Sequence, residues 1–362
     1  VAFKVKRKNP LLSITFLLLP FAILFGIIVY LRNLLYDLKV IRPVRFSVPT
    51  IGVGNLAVGG TGKSPHIEYL VKTLTPYIHV ASLSRGYGRK TTGTIEVMNN
   101  ATSEQVGDEP LVLKMKFPDI SVFVGSNRAF AIPELMGRKP QTQVVLLDDI
   151  FQHRSVIPHE NILLTEYSLP YFGDFLLPVG ALREMPMGAK RADTIIVTKC
   201  PPEITLEQEE YFRKKIKPGP NQQVYFSTFS YGDPYRLFQP TQRIKLQESM
   251  EIILFSAIAG TDYLMEYLKT QTKMIHSIEF QDHHFFTGDE ILQLKNTYTV
   301  LNAPEKIILT TEKDAVRLAM HREQIIAQQL PIFILPVEVK FIGSNAHLFD
   351  NYIKQRLLDF RI

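Results

Sequence analysis

The hydrophobic pattern begins with one long run. From Leu11 to Leu31, "LLSITFLLLPFAILFGIIVYL" holds 21 residues without a charge. As a helix rising 1.5 Å per residue, a run of that length measures about 30 Å, enough to cross a bilayer core. A cleaved signal peptide fits less well, since the run is long and no small-x-small cleavage site follows it. A buried core helix is the bland alternative. Four basic residues precede the run and four follow it, so charge does not set an orientation. Pro20 and Gly26 also permit a broken helix that enters one leaflet. The expectation is an N-terminal membrane helix within residues 1–44, with spanning and one-leaflet insertion both open.

Beyond residue 45 the pattern changes to short apolar runs that alternate with amphipathic stretches. Thr50–Val53, Val144–Leu147, and the runs ending at Ser84 and Thr198 read as buried parallel strands, being short, apolar and rich in β-branched residues. Their chemistry-bearing residues all fall at the strand ends, which predicts an α/β fold with a doubly wound, mostly parallel P-loop sheet. "QQVYFSTFSYGDPYRLFQP" reads as a hairpin or extended linker, after which the α/β rhythm resumes in "EIILFSAIAG", "EKIILTTEKDAVRL" and "PIFILPVEV". The division is an anchor over 1–44, a P-loop domain over 45–221, a hairpin-like linker over 222–247 and a smaller α/β/α domain over 248–362.

Composition narrows the classes. With 46% hydrophobic and 21% charged residues the chain folds into compact domains. The net charge of +6 suggests nucleic acid until it is located. Residues 1–45 carry eight basic residues against Asp37 alone, leaving 33 basic and 34 acidic residues beyond them. The basicity belongs to the N-terminal segment, so a nucleic-acid partner is not expected. Cys200 is the single cysteine, which excludes an intrachain disulfide and a cysteine-built zinc site and fits a reducing compartment.

The candidate chemistry starts at "NLAVGGTGKSP". Gly62, Lys63 and Ser64 match the end of a phosphate-binding loop, with Ala57 at its first position in place of glycine. Ala57, Gly59, Gly60, Thr61, Gly62, Lys63 and Ser64 would surround the phosphates of ATP. Lys63 would reach the β- and γ-phosphates, and the Ser64 hydroxyl would ligate Mg²⁺. Asp148 and Asp149 end the run "VVLLDD", where carboxylates lie beside such a loop, and one of them would hold the metal. Arg85 closes another strand. Asp108 in "VGDEP" precedes a helical stretch and reads first as an N-cap. In "FQDHHFF", His283 and His284 are either solvent-facing turn residues or a base assistant or ligand, and a metal site on adjacent histidines is not expected.

Class signatures remove two relatives of the loop. Val58 stands where partitioning ATPases have a second lysine. "VTKCPP" lacks the asparagine and aspartate with which switch GTPases read guanine. A small-molecule or lipid kinase remains, with a membrane-tethered ATPase switch or assembly factor as the alternative.

Eight ordered blocks, "VGNLAVGGTGKSP", "LSRGYGR", "VGDEP", "LLDDIFQHR", "PVGALREMP", "KRADTIIVTK", "FQDHHFF" and "TTEKDAVRL", resemble the tetraacyldisaccharide 4′-kinase family of lipid A biosynthesis. The resemblance implies two α/β/α domains joined by a two-stranded linker. It also implies transfer of the ATP γ-phosphate to the 4′-hydroxyl of a tetraacyl disaccharide 1-phosphate, with Mg²⁺, at the cytoplasmic face of the inner membrane. Carried over by motif, Asp108 is the general base and His283 its assistant, with His284 the fallback. Lys63 and Ser64 keep their phosphate and metal roles. Asp148 and Asp149 form the acidic pair near the metal, Glu184 is an acidic metal or substrate position, and Arg85 is a phosphate or substrate contact. Ile150 departs from the family's usual glycine or alanine. The expected partners are a lipid A disaccharide precursor and the inner leaflet, with the chain acting as a monomer.

Overall fold

A computed structural model describes residues 17–361. The anchor run before Leu17, with its four preceding basic residues, therefore lies outside the described residues. The elements in order are α1 (Leu19–Asp37), β1 (Thr50–Asn55), α2 (Lys63–Leu74), β2 (Val80–Ser84), β3 (Ile95–Glu96), α3 (Ser103–Val106), α4 (Asp108–Lys116), β4 (Ser121–Val124), α5 (Arg128–Arg138), β5 (Val144–Asp148), β6 (Glu160–Glu166), β7 (Thr194–Thr198), α6 (Leu206–Ile216) and β8 (Gln223–Tyr231). The second half continues with β9 (Tyr235–Arg236), β10 (Gln239–Arg243), β11 (Glu251–Ser256), α7 (Asp262–Gln271), β12 (Met274–Glu279), α8 (Gly288–Val300), β13 (Lys306–Thr311), α9 (Glu312–Leu318), α10 (Arg322–Ala327), β14 (Ile332–Leu335), β15 (Val337–Phe341) and α11 (Asn345–Leu358).

Nine strands form the larger sheet in the order β15-β8-β7-β6-β1-β5-β2-β4-β3. From β8 to β4 every neighbour pairs parallel, with antiparallel strands at both edges. The order turns outward in both directions from β1, so the loop after β1 sits where ligands of open α/β sheets bind. The central strands are buried along their length, which matches their unbroken apolar runs. A six-stranded sheet, β10-β9-β14-β13-β11-β12, carries the second core.

Residues 248–362 do not stay with one sheet. β15 returns to the larger sheet and pairs antiparallel with β8, from Val337 opposite Tyr231 to Phe341 opposite Ser227. α11 follows it there, held by Arg356 Nε donating to Glu160 Oε2 at 2.8 Å. The chain thus crosses between the sheets twice, and the stretch read as a hairpin is divided between them: β8 pairs with β7 and β15 in the larger sheet, while β9 pairs with β10 and β14 in the smaller.

α1 lies against the larger domain. Ala22 and Gly26 are buried, while Phe21, Ile23, Leu24, Ile27, Ile28 and Leu31 are exposed. The inward stripe recurs at helical spacing through half-buried Asn33. Its length and apolar composition suffice for crossing a membrane.

Candidate active site

The loop after β1 is clamped on several sides. Val58 N–H donates to the Ala181 carbonyl at 2.8 Å, and Ala57 bridges Leu182. Thr61 is held by two hydroxyl and amide contacts: its Oγ1 accepts from Asn55 Nδ2 at 2.9 Å, and its carbonyl accepts from Thr198 Oγ1 at 2.9 Å. Gly62 has φ +92°, and a Cβ there would lie 2.6 Å from Phe229 Cζ, so both backbone and space require glycine. Around Gly59 and Gly60 a Cβ would meet nothing within 4 Å, which leaves open room on the side where phosphates would sit. His66, on the first turns of α2, braces the loop from behind. Its Nδ1 lies 2.7 Å from the Gly62 carbonyl and its Nε2 3.1 Å from Ser227 Oγ, and burial lowers it to about 4, so the ring is neutral.

Asp148 and Asp149 end β5 beside this loop and behave differently. Asp149 sits at φ 48° and takes both arms of Arg183, at 2.8 and 3.0 Å, with Lys63 3.8 Å away. Burial works against its charge, but the Arg183 hydrogen bonds and Lys63 outweigh burial and hold the carboxyl below its usual range. Asp148 is pushed up to about 6 by burial, which Lys63 only partly offsets. Its Oδ1 is buried with no hydrogen-bond partner among the described residues. A buried, unpartnered carboxylate oxygen beside a phosphate loop suits a cation. Arg128, fully buried, donates to the Asp148 carbonyl at 3.1 Å. Ile150 points away from this edge into the core, where the missing Cβ of Gly52 makes room for it.

The second sheet contributes across the domain boundary. Asp108 is the first residue of α4, behind Gly107, which takes the N-cap position. Asp108 Oδ2 lies 3.2 Å from His283 Nδ1 and 3.5 Å from Arg317 Nε. His283 follows β12 at φ 63°, with its ring against Tyr87 at 4.6 Å. Its Nε2 is 3.1 Å from Lys313 Nζ. Burial works against the Lys313 charge, but Glu109 and Asp282 outweigh it and hold the lysine above its usual value. A charged ammonium only donates, so His283 Nε2 accepts and the proton sits on Nδ1, directed at Asp108. Asp108, Glu109 and His283 could together hold a cation, their ligand atoms lying within 4.8 Å of one another, but the Lys313 ammonium already occupies that centre, 3.0 Å from Glu109.

Two expected residues, Glu184 and His284, are engaged by partners outside these groups. Glu184 is buried and has both oxygens engaged, by Arg191 at 2.8 and 2.9 Å, by Gln152 at 2.9 Å and by Asn33 of α1 at 3.1 Å. It ties α1 to the site and offers no free ligand atom. His284 turns to Glu290 at 2.9 Å and stacks on Phe280. Arg85 follows β2, exposed, at the strand end that runs beside the Asp148–Asp149 end of β5. Arg183, Asn55, Lys313 and Arg317 were not among the sequence candidates. Lys313 and Arg317 stand four apart on α9, a spacing that puts both on one helix face and was available in the sequence.

A glycine loop between β1 and α2, a lysine and hydroxyl at the helix start, and carboxylates at the end of the neighbouring strand β5 define a P-loop nucleotide-binding fold. The family model described as "Tetraacyldisaccharide-1-P 4'-kinase" matches residues 14–358, and the chain belongs to that family. The chain is 40% identical to the tetraacyldisaccharide 4'-kinase of Bacteroides thetaiotaomicron over 93% of this chain and 91% of the relative. It is 39% identical to that of Phocaeicola vulgatus over 95% of both. Among solved structures, the "apo" form of LpxK from Aquifex aeolicus in complex with ATP matches with a TM-score of 0.71 at 27% identity, over 95% of this chain and all of that one.

Proposed function

We propose that Asp108 is the general base with which the chain, an ATP-dependent kinase, transfers the γ-phosphate of ATP to the 4′-hydroxyl of a tetraacyldisaccharide 1-phosphate. The observation that carries this reading is the Asp108–His283 pair, a carboxylate held by a directed imidazole, whose neighbour Glu109 is close enough for its charge to act on Asp148 beside the phosphate loop. Loop amides from Ala57 to Ser64 and the Lys63 ammonium would offset phosphate charge. Both named partners of Asp108 approach Oδ2, leaving Oδ1 for the acceptor hydroxyl. The hydroxyl oxygen bonds the γ-phosphorus as the bond to the β,γ-bridging oxygen breaks, ADP leaves, and Asp108 takes the proton. His283 and Arg317 fix the carboxylate in place for that step. Arg183 holds Asp149 and the Asn55 carbonyl together, so it sets the floor under the loop.

Mg²⁺ fits Ser64 and the free oxygen of Asp148, with Asp149 nearby, and when bound it would offset charge on the transferring group. Glu184 is better read as a support than a ligand, because Arg191 takes both of its oxygens. Arg85 and His284 keep at most outer substrate roles.

The exposed apolar face of α1 supports attachment to the inner membrane at its cytoplasmic face, where ATP is found. The reading is tested with γ-labelled ATP and vesicles carrying the disaccharide 1-phosphate with its 4′-hydroxyl free or blocked. Label should appear on the free acceptor alone. Label released only to water would instead favour a membrane-tethered ATPase.

A further inference from the structure

The segment from Asp174 to Met187 presents apolar side chains beside α1 that no part of the phosphotransfer site uses. Phe175 is 41% exposed, Met185 39% and Met187 59%. Large apolar groups clustered on a surface mark a contact. Leu176, next to Phe175, and Met185, two before Met187, both approach Gly26 of α1, which brings both ends of the segment to that helix. A Cβ at Gly26 would lie 2.8 Å from Leu176 Cδ1 and 3.8 Å from Met185 Cε, so helix and segment touch at that level. Arg32, whose guanidinium donates to the Gln152 carbonyl at 2.6 Å, lies six residues further along the helix, about 9 Å at 1.5 Å per residue. Exposed Lys39, Arg42 and Arg45 follow on the same side of Arg32, away from the apolar end, and Lys190 is exposed just after Met187.

We infer that the Asp174–Met187 segment is a second membrane-contacting surface, seated in an anionic phospholipid bilayer beside α1. The inference rests on the membrane attachment proposed above and adds where the globular domain meets the lipid. The order along α1, apolar first and basic beyond it, matches a bilayer boundary with anionic headgroups at the level of Arg32. Phe175 and Met187 then reach the acyl boundary.

The segment is preformed for this contact. Asp174 accepts from Phe175 N–H at 2.8 Å and from Ala181 N–H at 3.0 Å, and Leu182 N–H donates to the Phe175 carbonyl at 2.9 Å. A loop already held in shape loses little entropy when it docks. Its middle residues, Ala181 and Leu182, are the stretch that pairs with Val58 and Ala57 of the phosphate loop. Seating the segment therefore fixes the depth of the phosphate loop relative to the lipid surface.

The test uses the full chain and vesicles of phosphatidylethanolamine and phosphatidylglycerol. F175E/M187E should bind these vesicles about tenfold more weakly than the unaltered chain, with unchanged ATP affinity and unfolding midpoint. Independently, F175C and M187C carry an environment-sensitive fluorophore in turn, since Cys200 is buried and stays unlabelled. Emission should shift to the blue on vesicle binding and be quenched by brominated acyl chains. Aqueous emission at both positions on a vesicle-bound chain, with F175E/M187E binding as tightly as the unaltered protein, overturns the inference and leaves the α1 attachment standing. A blue shift without vesicles that grows with protein concentration overturns it in favour of a second copy of the chain. If the unaltered chain does not bind the vesicles at all, the membrane reading itself falls.

Discussion

His283 Nδ1 stands 3.2 Å from Asp108 Oδ2, joining the start of α4 to the loop after β12, 175 residues further along the chain. Lys313 caps the other ring nitrogen at 3.1 Å and so fixes which nitrogen carries the proton. The pair forms where α4 meets the loop after β12, with Lys313 of α9 beside it, so the orientation of the Asp108 carboxylate depends on how these three elements pack.

His283→Ala should lower kcat by up to about 10²-fold, since it removes orientation but keeps the base. ATP affinity should hold, because the loop contacts of Lys63 and Thr61 do not involve His283. In a double-mutant cycle, Asp108→Asn with His283→Ala should be little worse than Asp108→Asn alone. Steady-state kinetics check this, and multiplied losses in the double variant would mean that the two residues act separately.

Asp148→Asn should abolish the extra thermal stabilisation that Mg²⁺ gives to the ATP-bound protein. The metal-free protein should be no less stable than the parent, because burial already works against the Asp148 charge. Thermal unfolding with ATP, with and without Mg²⁺, reads both effects. A retained Mg²⁺ shift would move the ligand role to another carboxylate.

A second ionic joint spans the domain boundary. Lys116 Nζ lies 2.5 Å from Glu68 of α2 and 2.8 Å from Glu312 of α9. Burial works against the Lys116 charge, but the two carboxylates outweigh it and raise the lysine above its usual value. Glu68 is pushed up to about 7, first by burial, with Lys116 offsetting part of that rise. Lys116→Met leaves two buried carboxylates facing each other and should cost about 3–5 kcal/mol at pH 8. A carboxyl whose value is raised on folding binds protons more readily in the native state, so acid relieves the strain. The cost should therefore shrink as pH falls from 8 through 7 towards 5.5. Denaturant unfolding of both proteins at these pH values checks the direction, and a cost that grows towards acid would contradict it.

The sequence carried much of this arrangement because its strongest signals are local. The strand, glycine loop, lysine and serine from Thr50 to Ser64 stand in one short stretch, and β5 announces its carboxylates by an apolar run. What is not local was harder to read. An apolar run such as "PIFILPVEV" identifies strands but not which sheet each joins, and Pro336 divides one run between β14 of the small sheet and β15 of the large one. Likewise Glu184 has the type of a ligand, and only its neighbours Arg191, Gln152 and Asn33 give it a bracing role. Asp108 reads as an N-cap until the fold puts Gly107 at that position. His283 and Asp108 could be paired from sequence only through the family resemblance, since nothing along the chain joins them.

The most direct test follows labelled γ-phosphate through Asp108→Asn. With ATP and acceptor vesicles, the unaltered chain should move label to the 4′-position of the lipid, and Asp108→Asn should slow that transfer by about 10²–10⁴-fold while binding ATP as tightly as before. Transfer at an unchanged rate in Asp108→Asn would contradict the account.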